Sequence, residues 1–127
     1  MAARLTSSKT VERRGAPRVT EHLPLAIGEA GAEFAAETVD LSASGVNCVL
    51  DRFIPPMSKL LLRFELLHGV RREPIQCAGV VVRVEPMIAS PERGRYRTAV
   101  FFTELSERHR ASIARFVTAR LAASTKT

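Results

Sequence analysis

The sequence predicts a mainly β protein, a small six-stranded antiparallel β-barrel with one α-helix at its C-terminal end. Three observations point there. Six short segments alternate apolar and polar residues with period two. Gly, Pro, Asn or Asp punctuates them, and helical spacing appears only after Leu105. At 127 residues, with 46% hydrophobic and 25% charged, the chain suits one domain built around one core.

The first strand is expected over Leu23, Leu25 and Ile27, alternating with His22, Pro24 and Ala26. It should lie near an edge, where Pro24 loses no ladder donor. The second runs from about Phe34 to Leu41, with Val39 and Leu41 inward and Thr38, Asp40 and Ser42 on the outward face. After a turn at Ala43-Ser44-Gly45, Val46, Cys48 and Leu50 mark the third strand, and Ile54-Pro55-Pro56 breaks the pattern. The fourth has the cleanest alternation, with Leu60, Leu62, Phe64 and Leu66 on one face, and His68-Gly69 turns the chain. The fifth, Ile75 to Glu85, is expected to place Val80, Val82 and Val84 inside and Val81 and Arg83 outside. The sixth places Tyr96, Thr98, Val100 and Phe102 inside. Ser106 is the expected N-cap of the helix, with Leu105 as a staple before it, and Ile113, Phe116, Val117 and Leu121 form its apolar stripe against the barrel.

These elements divide the chain into a flexible polar tail over 1–10 and one domain over 11–123. That domain comprises an arginine-rich arm over 11–18, a barrel over about 19–104 and a helix over about 106–123. No apolar run reaches the ~20 residues of a membrane span, and the start lacks the apolar stretch of a secretory signal, so a cytoplasmic location is expected. Cys48 and Cys77 read as reduced thiols used as small hydrophobes, and no metal-ligand spacing occurs. The net charge of +6 favours an anionic partner without choosing among nucleotide, nucleic acid and acidic protein.

Two short motifs narrow that choice. Arg13, Arg14 and Arg18 form an ERRxxxR pattern from Glu12, and Asp40-Leu41-Ser42-Ala43-Ser44-Gly45 forms DxSxxG. The first is weak by itself, since Arg93 and Arg97 also satisfy RxxxR. The second is sharper: with two Asp, nine Ser and seven Gly in the chain, chance supplies it about 0.01 times. In this order the pair resembles the ligand motifs of PilZ domains, which bind the bacterial second messenger cyclic diguanylate (c-di-GMP). The resemblance extends from about Glu12 to Leu121. It implies the PilZ fold, a split-barrel-like six-stranded antiparallel barrel with a C-terminal helix. It further implies a non-enzymatic c-di-GMP receptor with no cofactor or metal, which orders its arm on binding and regulates a downstream protein.

The resemblance assigns the binding surface to Arg14, Arg18, Asp40, Ser42 and Gly45, with Arg13 as a further phosphate or base contact. The chemistry fits. Guanidinium donors pair with phosphate or with guanine O6 and N7, and their flat face stacks on a purine. A carboxylate accepts from guanine N1–H and N2–H, a serine hydroxyl reaches base or phosphate, and glycine permits close backbone approach. Two positions depart from the family pattern: Arg83 stands where many members have an aromatic residue, and Ala99 where many have glycine. The resemblance accordingly implies Arg83 as a further ligand contact, stacking by its guanidinium.

Rival classes have less support. His22, Asp40 and Ser42 compose only a nominal triad, without a nucleophile elbow or phosphate loop. A basic barrel binding nucleic acid needs aromatic platforms, whereas this chain has no Trp and its one Tyr falls at an inward position. A degenerate PilZ adaptor without ligand would fit a chain lacking the arginine arm, which is present here.

Overall fold

Alternation builds the wall of the barrel. Leu60, Leu62, Phe64 and Leu66 are all buried, while the residues between them face solvent, so each pleat sends one side chain to the core and the next to water. The computed structural model describes residues 16–87 and 94–125. Within them lie β1 (Arg18–Thr20), β2 (Pro24–Glu29), β3 (Ala32–Ser42), β4 (Gly45–Leu50), β5 (Lys59–His68), β6 (Arg71–Pro86), β7 (Tyr96–Glu104) and α1 (Glu107–Thr125). The tail over 1–10, Arg13 and Arg14 lie outside the described residues.

All pairings are antiparallel. Strands β2, β5, β6, β7, β4 and β3 follow one another around the barrel, and the β3–β4 and β2–β3 ladders complete the circuit. The six-stranded barrel is therefore as expected. The seventh strand, β1, is an addition: it pairs Arg18–Thr20 with Ser42–Asp40, on the same side of β3 as β2. The last arginine of the expected arm is thus strand, held by ladder bonds that a three-residue segment with one apolar residue does not advertise in sequence.

Two β-bulges correct the expected phases. In β3, Thr38 faces Cys48 and Asp40 faces Asn47, which leaves Val39 as an extra residue. Thr38 consequently turns inward and is fully buried, instead of sharing the outward face with Asp40. Its hydroxyl donates to the Glu21 carbonyl and accepts from Leu23 N–H at 2.8 Å, fastening the bend between β1 and β2. In β6, Val81 faces Val100 and Arg83 faces Ala99, so Val82 is the extra residue. Val81 is buried and Val82 is 53% exposed, the reverse of the expectation, while Val80 and Val84 are only partly covered. A run of three valines has no alternation from which to read a phase. Pro24 also differs from expectation: β2 is an interior strand, but its pairing with β5 covers only Ala26–Gly28, so Pro24 lies beyond the place where a ladder donor is needed.

The helix begins as expected. Ser106 Oγ accepts from His109 N–H at 3.1 Å, and the Ser106 carbonyl accepts from Arg110 N–H at 2.8 Å. Ile113, Phe116 and Val117 enter the barrel core, and Leu121 packs at its margin. A polar clamp joins α1 to β5 and β6. Ser112 Oγ donates to Glu73 Oε2 at 2.8 Å, and His68 Nε2 meets Glu73 Oε1 at 3.0 Å. Burying side chains of this size stabilises by ~1.5–3 kcal/mol each, so the stripe outweighs the clamp as the source of docking energy.

Candidate ligand-binding site

Ladder register assembles the site. Across β3, β4, β7 and β6, Asp40 faces Asn47, Asn47 faces Ala99, and Ala99 faces Arg83. The two bulges create this row. Without Val39 as the extra residue Asp40 would fall opposite Val46, and without Val82 as the extra residue Arg83 would not meet Ala99. Beside the row lies a groove of about 960 Å³, lined by residues including Arg18, Gly45, Asn47, Arg83, Ala99 and Phe101. A smaller recess of about 530 Å³, between β2 and β5, contains none of the motif residues.

Arg18 and Asp40 come together as an ion pair in which Arg18 Nη1 donates to Asp40 Oδ1. Their side chains are 40% and 18% exposed, so both keep some contact with solvent, and Arg18 lines the groove. Asn47 Nδ2 donates to both carboxylate oxygens, at 3.0 and 3.2 Å. Arg83 is exposed and, among the described residues, forms a loose 3.8 Å ion pair with Glu85.

Ser42 is placed differently from its expected outward position. It is fully buried, and its hydroxyl accepts from Ser44 N–H at 3.1 Å and Gly45 N–H at 3.2 Å. Ser42 therefore shapes the turn from β3 into β4, which side-chain oxygens of this type do by replacing a backbone acceptor. Arg110, in the first turn of α1, donates to the Ala43 carbonyl at 2.9 Å and braces the same turn from outside. Gly45 brings β4 flush against the Val100–Phe101 backbone.

The remaining chemistry-bearing groups are committed elsewhere. His22 Nδ1 meets the Thr38 carbonyl at 3.1 Å, so His22, Asp40 and Ser42 are not bonded to one another. Burial, and secondarily the Asp40 charge, pushes the Cys48 thiol up to about 12; burial pushes Cys77 to about 11, against the opposing pull of Arg110. Neither is a ready thiolate. Among the described residues no group of three metal-ligating side chains occurs, and no described helix is long and apolar enough to cross a membrane.

Sequence reasoning overlooked Asn47 and Arg110. Asn47 had a signal, because asparagine is depleted in strands and here stands between Val46 and Cys48. Arg110 had none: its partner is 67 residues away.

The PilZ domain model matches residues 12–119. This chain belongs to the PilZ domain family. Among solved structures it is similar to the Bacillus subtilis inhibitor of motility MotI, at 20% identity with a TM-score of 0.77, over 87% of this chain and 52% of MotI. It is also similar to MrkH of K. pneumonia in its c-di-GMP complex, at 18% identity and TM-score 0.65, over 91% of this chain and 56% of that one. The Escherichia coli YcgR PilZ domain with c-di-GMP matches at 12% identity and TM-score 0.65, over 90% of this chain and 97% of that one. The chain thus spans about half the length of MotI and MrkH. No curated protein matches it by sequence. At these identities the structural likeness speaks for the PilZ barrel and helix.

Proposed function

We infer that this PilZ chain is a non-enzymatic, cytoplasmic c-di-GMP receptor that binds the nucleotide in the groove beside Asp40. The carrying observation is the row of Asp40, Asn47, Ala99 and Arg83 with Arg18 at its end. It sets two guanidinium groups along one recess, with the Asp40 carboxylate bonded to Arg18 and Asn47, two residues that line it. Support comes also from family membership and from the c-di-GMP complexes of MrkH and YcgR.

The cationic groups meet the phosphodiesters and stack on guanine, and Asp40 accepts from the guanine Watson–Crick edge. Arg18 exchanges Asp40 for the ligand, since its Nη1 occupies an acceptor position on Oδ1 that a guanine donor needs. Arg13 and Arg14 supply further contacts from the arm, which closes over the nucleotide. Ser42 and Gly45 hold the turn that aims Asp40, and Arg83 provides a stacking surface where other members use an aromatic ring. The changed surface is then read by a downstream protein.

Titration calorimetry with c-di-GMP tests this. Binding by the parent should fall about tenfold or more in Arg14→Ala and Arg18→Ala, because each removes charge-assisted bonds worth ~1.5–3 kcal/mol. Unchanged affinity in both variants would remove the arginine motif from the site. Absence of parent binding would leave the adaptor class.

A further inference from the structure

We propose that Asn47 is a specificity-determining residue whose side-chain carbonyl accepts a hydrogen bond from the guanine 2-amino group. The inference rests on the c-di-GMP reading above and assigns a base-reading role to a residue outside both motifs.

The amide orientation follows from its partner. The ion-paired Asp40 carboxylate has only acceptors, so the Asn47 group facing it at 3.0 and 3.2 Å is the NH2 end. The NH2 group is thereby committed, and Oδ1 is left as the polar atom available to a ligand. Asn47 lines the groove, and no described protein donor bonds this oxygen. Asp40 and Asn47 together therefore present carboxylate oxygens and one amide oxygen, an edge made of acceptors.

Guanine complements such an edge. It offers N1–H and the two hydrogens of its 2-amino group; two fit Asp40 and the third fits Asn47 Oδ1. Adenine places an N1 acceptor there and has no 2-amino group. Asn47 has a second effect on the same edge: by bonding both carboxylate oxygens it fixes the plane of Asp40, so less freedom is lost when the base docks. The β3 bulge is what brings the two residues opposite each other.

The test compares c-di-GMP with cyclic di-inosinate, which keeps N1–H, O6 and N7 but lacks the amino group. Both are titrated against the parent, Asn47→Ala and Asn47→Ser, with folding checked by thermal melting. The serine variant retains a donor for Asp40 but is too short to reach the base, which also covers a poorly folded alanine variant. The parent should prefer c-di-GMP, and both variants should narrow that preference by about five- to tenfold, the size of one neutral hydrogen bond. If the variants weaken both ligands in parallel and keep the parent's preference, Asn47 is structural and the proposal fails while the receptor reading stands. If the parent binds neither ligand, the receptor reading itself fails.

Discussion

A Cβ on residue 45 would stand 2.4 Å from the Val100 carbonyl oxygen, a backbone atom that cannot swing aside. Gly45→Ala should therefore push β4 away from β7 and cost about 1–3 kcal/mol, measured as a shift in the urea unfolding midpoint. It should also disturb ligand binding, because the same residue lines the groove. Asp40 behaves oppositely. Its ion pair with Arg18 is partly exposed, so Asp40→Ala should change stability by less than about 1 kcal/mol. Its effect should appear in selectivity: affinity for c-di-GMP falls much more than that for cyclic diadenylate, since adenine offers no N1–H or 2-amino donor. Parallel losses for both ligands, accompanied by a lower melting temperature, would make Asp40 a turn residue and nothing more.

At the scale of elements, α1 is held by an apolar stripe and by one carboxylate. Hydrogen bonding from Ser112 first, then the hydrogen bond and charge of His68, hold Glu73 below its ordinary value of 4.5, against the opposing effect of burial. A depressed carboxylate stabilises the fold above its unfolded pKa, and that contribution is lost as pH falls through the folded value. The stability gap between the parent and Glu73→Gln should accordingly be full at neutral pH and shrink below about pH 4.5, where denaturant titrations at several pH values would show it. Ser112→Ala, at a fully buried position, should cost about 2 kcal/mol at neutral pH through the lost bond to a charged acceptor. Arg110 ties this helix to the turn that aims Asp40, so disturbing α1 docking has a direct route to the groove.

For the whole molecule, the +6 charge raises the question of general polyanion binding. A nucleic-acid barrel releases many counterions, so its affinity falls steeply with salt and grows with strand length. A receptor that meets the two phosphates of c-di-GMP should show a log–log salt slope of about −2 or shallower. Titrations of c-di-GMP and of single-stranded RNA across a salt series separate the two. RNA binding as tight as c-di-GMP at physiological salt would displace the receptor reading.

The six barrel strands, their turns, the helix with its Ser106 cap and the DxSxxG turn were legible in the chain because local alternation and turn chemistry encode them, whereas β1 was not. Leu60 to Leu66 show this most plainly, since every second residue is buried. Period-two patterning carries a face only until an extra residue intervenes. Val39 and Val82 each intervene, so Thr38, Val81 and Val82 face directions that no local pattern discloses, and Ser42 is buried by the turn that its hydroxyl holds. The same shifts place Asp40 beside Asn47 and Arg83 beside Ala99, residues whose pairing is decided by ladders between distant strands. The motif residues and the fold class thus belong to the sequence. The row that turns them into a groove belongs to the tertiary structure, because register is a property of two strands and a bulge resets it for every residue beyond.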